Sequence, residues 1–253
     1  MKGKVSVNAV IRLIDGAAPG QATVVSDLVQ RLSEALPRVR KTGEIVVLAQ
    51  SDAPRRAMLF DLDATLTTCE FLDVLAESVG LGDRIRGLTR AAMEGRMDFA
   101  ASYRERVALF AGTPVERVEA LIAQLPLAEG AAELFEQLRR RDIRTAIVTG
   151  GYARVGRAIQ QRLGADALYA TELEERGGRL TGRLAGPLLD AAAKVAALDD
   201  FCAENGLQRC ECVAVGDGAN DLPMLAAAGW GVLYTARPED PGAARPISCL
   251  LDW

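Results

Sequence analysis

The amino-acid sequence predicts an α/β fold built on a parallel sheet that helices cover on both faces. From residue 130 onward, short continuous apolar runs alternate with amphipathic helical patterns, which is typical of strands buried on both faces. Residues 70 to 124 contain helical patterns with no strand among them, so we expect a helical bundle inserted into the sheet domain as a cap. A shorter β-α-β pattern precedes both regions.

The first 54 residues predict a small β-α-β segment. Apolar runs at 4 to 14 and 44 to 50 indicate strands, and residues 21 to 36 have apolar side chains at helical spacing. Turn-forming residues and Pro54 mark a boundary at 51 to 56. The pattern assigns no role to this segment, and an exposed strand edge within it would allow a homodimer.

The main domain is predicted to comprise residues 55 to 69 and 128 to 253, with residues 70 to 127 as the helical cap. Glycines separate the cap helices predicted at 70–80, 83–95, 98–112 and 114–125. The core pattern predicts strands at 57–60, 145–150, 167–174, 212–218 and 230–235, and helices at 131–141, 152–164, 191–206 and 222–229. Residues 171 to 184 resemble a β-hairpin that turns at Gly177 and Gly178.

Composition excludes several classes of function. The net charge is −4 and the pI is near 5.2, with no basic stripe for a nucleic-acid backbone. No apolar window reaches the roughly 18 to 20 residues that a membrane span needs. The cysteines lack the paired spacing of a zinc site, and their odd number favours a reducing cytoplasm; they are Cys69, Cys202, Cys210, Cys212 and Cys249.

The sequence contains no histidine. This absence excludes Ser-His and Cys-His nucleophile pairs and every histidine-ligated metal. Acid and base chemistry must therefore use carboxylates, lysine, tyrosine or cysteine.

Polar side chains follow three of the predicted strands, at the edge where open α/β sheets bind ligands. Asp61 and Asp63 follow residues 57 to 60, and Thr149 and Gly150 follow the apolar residues 146 to 148 of the next core strand. A later strand leads into Asp217, Asn220 and Asp221. So many neighbouring carboxylates remain ionised only around a cation, and oxygen ligands of this kind favour Mg²⁺.

This set of residues suits phosphoryl transfer. Asp61 would be the nucleophile that attacks phosphorus, and Asp63 would protonate the leaving alkoxide and later activate water. The Thr149 hydroxyl and the Gly150 amide would bind phosphate oxygens. Lys194, the only lysine outside the amino-terminal segment, would balance the negative charge. Each motif alone is a common turn, loop or surface residue, but the ordered set is specific.

The ordered motifs resemble those of the haloacid dehalogenase (HAD) superfamily, and most closely its phosphoserine phosphatase branch. The resemblance rests on "FDLDATLTTCE", "AAMEGRMDFAASYRERVALFAG", "VTGGY", "DAAAK" and "VAVGDGANDLPML", and it covers roughly residues 57 to 235. It implies a HAD-like Rossmannoid core that hydrolyses O-phospho-L-serine to L-serine through an aspartyl-phosphate, the final step of serine biosynthesis. One departure is Thr149, where the family more often has serine.

The resemblance also implies a role for each matching residue. Mg²⁺ would be held by the Asp61 side chain, the Asp63 backbone carbonyl and Asp217, with Asp221 in support. Thr149, Gly150, Lys194 and Asn220 would hold or support the phosphate.

In the cap, the resemblance implies that Glu70 meets the substrate ammonium and Arg106 its carboxylate, with Met93 and Phe99 closing the pocket. Charge complementarity agrees, because phosphoserine calls for one anion and one forked cation. Arg104 is the nearest rival to Arg106. Helical geometry puts these two arginines on different faces, so only one should point inward.

Three alternatives remain open on the sequence. The first is the same chemistry on another small phosphomonoester, such as phosphothreonine or phosphohomoserine, or phosphoryl transfer to an alcohol. The second is a nucleotide-binding oxidoreductase, although no G-x-G-x-x-G follows the first strand. The third is a non-catalytic sensor of serine or a phospho-ligand, although the retained Asp61 argues against it.

Overall fold

A computed structural model of the chain describes residues 11–15, 25–93 and 96–252; within these ranges the side chains of residues 11–15, 25, 92, 93, 99, 241 and 252 lie outside the description. The strands are β1 (Ile11–Asp15), β2 (Ile45–Ala49), β3 (Ala57–Phe60), β4 (Arg144–Tyr152), β5 (Ala167–Thr171), β6 (Leu173–Arg176), β7 (Arg179–Leu184), β8 (Cys212–Gly216) and β9 (Trp230–Leu233).

The helices comprise a cap group and a core group. The cap helices are α2 (Phe71–Ser78), α3 (Gly82–Met93), α4 (Phe99–Ala108) and α5 (Val115–Ala123). The others are α1 (Val25–Thr42), α6 (Ala131–Arg140), α7 (Ala153–Leu163), α8 (Ala191–Asn205) and α9 (Leu222–Ala227). The α/β architecture and the inserted helical region therefore agree with the sequence prediction.

The main sheet has the strand order β1-β2-β9-β8-β3-β4-β5 within the described residues. β3 lies between β8 and β4 and runs parallel to both, with Phe60 opposite Val215 on one side and Ile147 on the other. Because these strands are parallel and in register, their carboxyl ends meet at one edge. The loops that follow them therefore converge.

Side chains of each central strand alternate between two apolar cores. Met58 and Phe60 of β3 pack in a core shared with the cap, α6 and α7. Ala57 and Leu59 face the opposite way, into a core shared with α1, α8 and α9. This alternation confirms the prediction that helices cover both faces of the sheet.

The amino-terminal segment contributes to the same sheet. β1 pairs with β2 in parallel, and β2 pairs with β9 in the antiparallel direction, with Val46 opposite Leu233. The sequence predicts a parallel sheet, and this pairing differs from it. Residues 4 to 10 of the first predicted strand lie outside the described residues.

Helix α1 continues past the position at which its sequence predicts an end. The predicted helix stops at residue 36, before Pro37, whereas α1 extends to Thr42 with Pro37 inside it. Pro37 and Ser33 are exposed, so water can satisfy the Ser33 carbonyl that a proline nitrogen leaves without a donor. Buried Leu36 and Val39 keep one apolar face on both sides of the proline.

The predicted hairpin is confirmed and attaches to the cap. β6 and β7 are antiparallel, and Gly177 and Gly178 form the turn with φ of 57° and 72°, a conformation that favours glycine. The Gly112 nitrogen donates to the Leu180 carbonyl over 2.8 Å, and the Val115 nitrogen donates to the Gly178 carbonyl over 2.8 Å. The single strand predicted at 167 to 174 is divided between β5 and β6.

None of the helices in the described ranges combines the length and apolar character that crossing a bilayer requires.

Candidate active site

Asp61 and Asp63 lie in a tight loop directly after β3. The Asp61 nitrogen donates to the Val215 carbonyl over 2.9 Å, which continues the β3-β8 pairing by one residue. The Asp63 carboxylate turns toward the cap, where its Oδ1 accepts a hydrogen bond of 2.9 Å from the Phe71 nitrogen at the start of α2. Backbone geometry therefore gives the two carboxylates different surroundings.

Lys194 lies completely buried between two carboxylates. Its Nζ is 2.5 Å from Asp61 Oδ1 and 2.5 Å from Asp221 Oδ1. Burial alone would lower the pKa of this ammonium group, but the charges of Asp221 and Asp61 raise it above its ordinary value. Lys194 therefore remains protonated and bridges α8 to the loops after β3 and β8.

Asp61, Asp217 and Asp221 form a compact acidic cluster. One carboxylate oxygen from each lies within 4.8 Å of the others, and Asp221 Oδ2 also accepts from the Gly218 nitrogen over 2.8 Å. Burial, followed by the charge of Asp221, raises the pKa of Asp61 to about 7. The same two causes raise the pKa of Asp217.

This cluster fits a hard divalent cation. Three carboxylates face one ammonium group, so an excess of negative charge is buried at the carboxyl edge of the sheet. Oxygen ligands of this kind suit Mg²⁺ or Ca²⁺ rather than softer metals. A divalent cation would supply the missing positive charge.

The last residues of β4, from Thr149 to Tyr152, lie against Asp63. The Thr149 hydroxyl accepts from the Gly151 nitrogen over 2.9 Å, and Thr149 is buried. A Cβ atom at position 151 would lie 2.8 Å from Asp63 Oδ2, and one at Gly150 would lie 3.0 Å from the Leu189 carbonyl oxygen. A side chain at position 151 would therefore force the Asp63 carboxylate to move, whereas glycine leaves it in place.

The cap contributes two charged side chains, Glu70 and Arg106, to the surroundings of Asp63 and Tyr103. Glu70 is the residue immediately before α2; burial and the charge of Asp73 raise its pKa, whereas Arg237 and Arg106 lower it. Arg106 is partly buried, and its Nε finds no acceptor among the residues that the structure describes. Arg104 is exposed, so Arg106 is the arginine of α4 that turns inward.

Of the remaining predicted site residues, the structure describes the side chain of Asn220 but not those of Met93 and Phe99. Asn220 is half-buried in the loop after β8. The side chains of Met93 and Phe99 lie outside the described residues. Sequence reasoning missed two neighbours, Tyr103 and Arg237. A tyrosine within a helical pattern predicts only core packing, and Arg237 follows β9, a strand end at which no motif was expected.

A protein-family model for haloacid dehalogenase-like hydrolases matches residues 58–226. The chain therefore belongs to the haloacid dehalogenase-like hydrolases. This membership argues against the alternative of a nucleotide-binding oxidoreductase. Phosphatases of this family generally use a divalent metal, in agreement with the acidic cluster.

Curated relatives place the chain within that family. It is 37% identical over 219 residues to a phosphoserine phosphatase of Archaeoglobus fulgidus, covering 83% of this chain and 64% of that protein. It is 40% identical to phosphoserine phosphatase SerB2 of Mycobacterium tuberculosis, covering 73% and 45%. Against a phosphoserine phosphatase of Lactococcus lactis the identity is 39%, covering 74% of this chain and 86% of the relative. The chain thus belongs to the phosphoserine phosphatase branch, although it spans only about half to two thirds of its longer relatives.

Solved structures of phosphoserine phosphatases are also similar to this chain. A phospho-aspartyl intermediate analogue of phosphoserine phosphatase has a TM-score of 0.65 at 36% identity, covering 70% of this chain and 85% of that one. A substrate-bound phosphoserine phosphatase complex has a TM-score of 0.65 at 35% identity, with the same coverage.

Proposed function

We propose that this protein is a Mg²⁺-dependent phosphoserine phosphatase that hydrolyses O-phospho-L-serine to L-serine and phosphate, the final step of serine biosynthesis. The observation that carries the proposal is the buried arrangement of Lys194 between Asp61 and Asp221, with Asp217 beside them. The names of the relatives support the choice of substrate.

In the first half-reaction the Asp61 carboxylate attacks phosphorus, and the bond from phosphorus to the serine oxygen breaks. Asp63 gives its proton to the leaving alkoxide. Burial, followed by the charge of Glu70, raises the pKa of Asp63 well above its ordinary value, which suits a carboxyl group that must hold a proton.

In the second half-reaction Asp63, now a carboxylate, takes a proton from the water that attacks the aspartyl-phosphate. The bond from phosphorus to the Asp61 oxygen breaks, and phosphate leaves with the carboxylate restored. Lys194, the Thr149 hydroxyl and the Gly150 amide would donate hydrogen bonds to phosphate oxygens throughout, and Asn220 would support them.

Asp61, Asp217 and Asp221 would hold Mg²⁺ together with the Asp63 backbone carbonyl. When bound, the ion neutralises the charge between the carboxylates and the phosphate dianion. It would also lower the pKa of Asp61 from about 7, so that the nucleophile is ionised at neutral pH.

Glu70 and Arg106 select the amino acid. Glu70 would bind the substrate ammonium and Arg106 its carboxylate, because a forked guanidinium matches a carboxylate, with Met93 and Phe99 closing the pocket. Hydrolysis of phosphothreonine or phosphohomoserine, transfer to an alcohol, and a purely sensory role remain the competing hypotheses. A cytoplasmic location and a homodimer through the β1 edge stay predictions.

The test of the mechanism is Asp61→Asn. We expect the variant to lose activity on phosphoserine by roughly a thousandfold or more, because an amide cannot form the acyl-phosphate. Asp199→Asn is the matched control, since Asp199 lies exposed on α8 and pairs with Arg209, and it should retain wild-type turnover. Full activity in Asp61→Asn, or in wild-type protein treated with a chelator, would contradict the mechanism.

The test of the substrate is a comparison of kcat/KM on phosphoserine, phosphothreonine, phosphohomoserine and phosphoethanolamine, with an alcohol acceptor added in parallel. We expect phosphoserine to be preferred. A better rate on one of the other esters, or transfer to the alcohol in place of hydrolysis, would replace the substrate assignment and leave the nucleophile intact.

A further inference from the structure

We propose that Tyr103 is a positioning residue that selects for the substrate carboxylate by holding the Arg106 guanidinium against its ring. The inference rests on the proposed function, because it explains how one of the two selective groups keeps its orientation. Neither the motifs nor the relatives assign a role to Tyr103.

The contact follows from the helix that carries both residues. Tyr103 and Arg106 are three positions apart on α4, so their side chains share one face. The Arg106 Cζ lies 5.4 Å from the centroid of the Tyr103 ring, within the distance at which a cation is attracted to an aromatic face. Tyr103 is only 4% exposed, so surrounding core side chains fix the ring and water screens the contact weakly.

The contact with the Tyr103 ring is the main interaction of the Arg106 guanidinium among the described residues. It forms no ion pair in the part of the chain that the structure describes, and its buried Nε donates no hydrogen bond there. A buried guanidinium donor without an acceptor costs free energy, and this cost favours a ligand that brings an acceptor. The ring therefore orients the guanidinium while leaving its donors available to a carboxylate.

The phenol is suited to this role because it stays neutral. Burial raises the pKa of the Tyr103 hydroxyl, and the neighbouring charge of Asp63 raises it further. A phenolate would form an ion pair with Arg106 and compete with the substrate carboxylate. A neutral ring attracts the guanidinium through its face alone.

Loss of the Tyr103 ring should affect only substrates that carry a carboxylate. Loss of the ring should leave Arg106 free to take other rotamers, which weakens the binding of a substrate that carries a carboxylate. A phosphomonoester without a carboxylate does not use Arg106, so its turnover should be unaffected. A general defect in the cap would instead lower activity on both kinds of substrate.

The experiment measures kcat and KM on phosphoserine and on phosphoethanolamine, which keeps the ammonium and phosphate but lacks the carboxylate. For Tyr103→Leu we expect KM for phosphoserine to rise about 5- to 30-fold, from the usual strength of a desolvated cation–π contact, with kcat within about twofold and phosphoethanolamine unchanged. Tyr103→Met is a second variant without a ring, in case the leucine side chain packs poorly. Tyr103→Phe keeps the ring and should restore the wild-type KM.

Phe110→Leu is the matched control. Phe110 is a fully buried ring just after α4, and no cation contacts it among the described residues, so its loss should affect the two substrates equally. Equal losses on both substrates for Tyr103→Leu and Tyr103→Met, or a Tyr103→Phe variant as impaired as Tyr103→Leu, would overturn the inference. A wild-type enzyme that hydrolyses phosphoethanolamine as well as phosphoserine would instead overturn the proposed substrate.

Discussion

At the scale of single residues, Lys194 sets the electrostatics of the site. A completely buried ammonium group is costly unless it is paired and hydrogen-bonded, and Asp61 and Asp221 both accept from it at 2.5 Å. The same burial leaves the three carboxylates of the cluster with more negative charge than one lysine can offset. Burial, followed by the charge of Asp221, raises the pKa values of Asp61 and Asp217, so the ionised forms of these two groups are disfavoured.

This imbalance predicts a pH dependence of stability in metal-free protein. The pKa of Asp61 is raised from 3.8 to about 7, so the folded state favours the protonated carboxyl group. The contribution of the Asp61 carboxyl group to the free energy of unfolding is therefore complete below pH 3.8, the ordinary pKa, and is lost as the pH rises through about 7. Relative to Asp61→Asn, the free energy of unfolding of the wild type should fall by up to a few kcal/mol across this window.

The measurement is urea denaturation of both proteins with a chelator present, at intervals from about pH 5 to about pH 8. Asp199→Asn serves as the control, because the hydrogen bond from Arg209 lowers the pKa of Asp199 and moves its titration below this range. Parallel curves for the wild type and Asp61→Asn would show that Asp61 does not titrate there.

The clustering of these carboxylates could be expected from the sequence, but some of their neighbours could not. Asp61, Asp217 and Asp221 follow strands, and strand ends of a parallel sheet meet at one edge, so spacing alone brings them together. The place of Tyr103 depends on which face of α4 turns toward Asp63 and Glu70. That choice is made by packing between helices, which the spacing of apolar residues on one helix does not specify.

At the scale of secondary-structure elements, Arg154 joins three of them. It lies near the start of α7, and its guanidinium donates to both oxygens of Glu175 on β6, over 2.9 and 2.6 Å. It also donates to Glu119 on the cap helix α5 over 2.9 Å, and the Tyr152 hydroxyl contacts the same Glu175 carboxylate. The arginine thus ties the cap and the hairpin to the end of β4, next to Gly151.

Removing the hydrogen bonds of Arg154 to Glu175 and Glu119 should destabilise the protein. We expect Arg154→Gln to lower the free energy of unfolding by about 1 to 3 kcal/mol, because it leaves the half-buried Glu175 carboxylate without its charged donor. Arg157→Gln is the matched control. Arg157 lies on the same helix as Arg154 and pairs with Glu172, and both side chains of this pair are nearly half exposed. This substitution should cost no more than about 1 kcal/mol. Chemical denaturation compares the two, and equal losses would argue against a special role for Arg154.

Element boundaries follow the sequence where local chemistry decides them. The hairpin turn at Gly177 and Gly178 was predictable because two adjacent glycines tolerate the positive φ values that such a turn requires. The end of α1 was not. Local preference stops a helix before Pro37, but burial of Leu36 and Val39 against the core continues it, and tertiary packing outweighs the local signal.

At the scale of the whole molecule, the amino-terminal segment shares its sheet and its core with the hydrolase domain. β2 covers the edge of β9, and Leu28 and Leu32 of α1 pack in the same apolar cluster as Leu198 and Leu225. The sequence suggests a boundary at 51 to 56 because turn residues lie there. It gives no sign of the antiparallel pairing, since strands distant in the chain are matched by their surfaces rather than by a local pattern.

A shared core predicts that the segment and the hydrolase domain unfold together. Leu32→Ala should cost about 2 to 5 kcal/mol, as expected for a fully buried leucine, and Leu198→Ala on α8 is the matched change in the same cluster. If the core is common, each variant should shift one cooperative transition, so that far-UV circular dichroism and phosphatase activity are lost at the same denaturant concentration. If the segment folded separately, Leu32→Ala would lower an early transition and leave the loss of activity at its wild-type midpoint. Joint unfolding would mean that residues 25 to 49 support the β9 edge of the sheet, next to the strand that delivers Asp217 and Asp221.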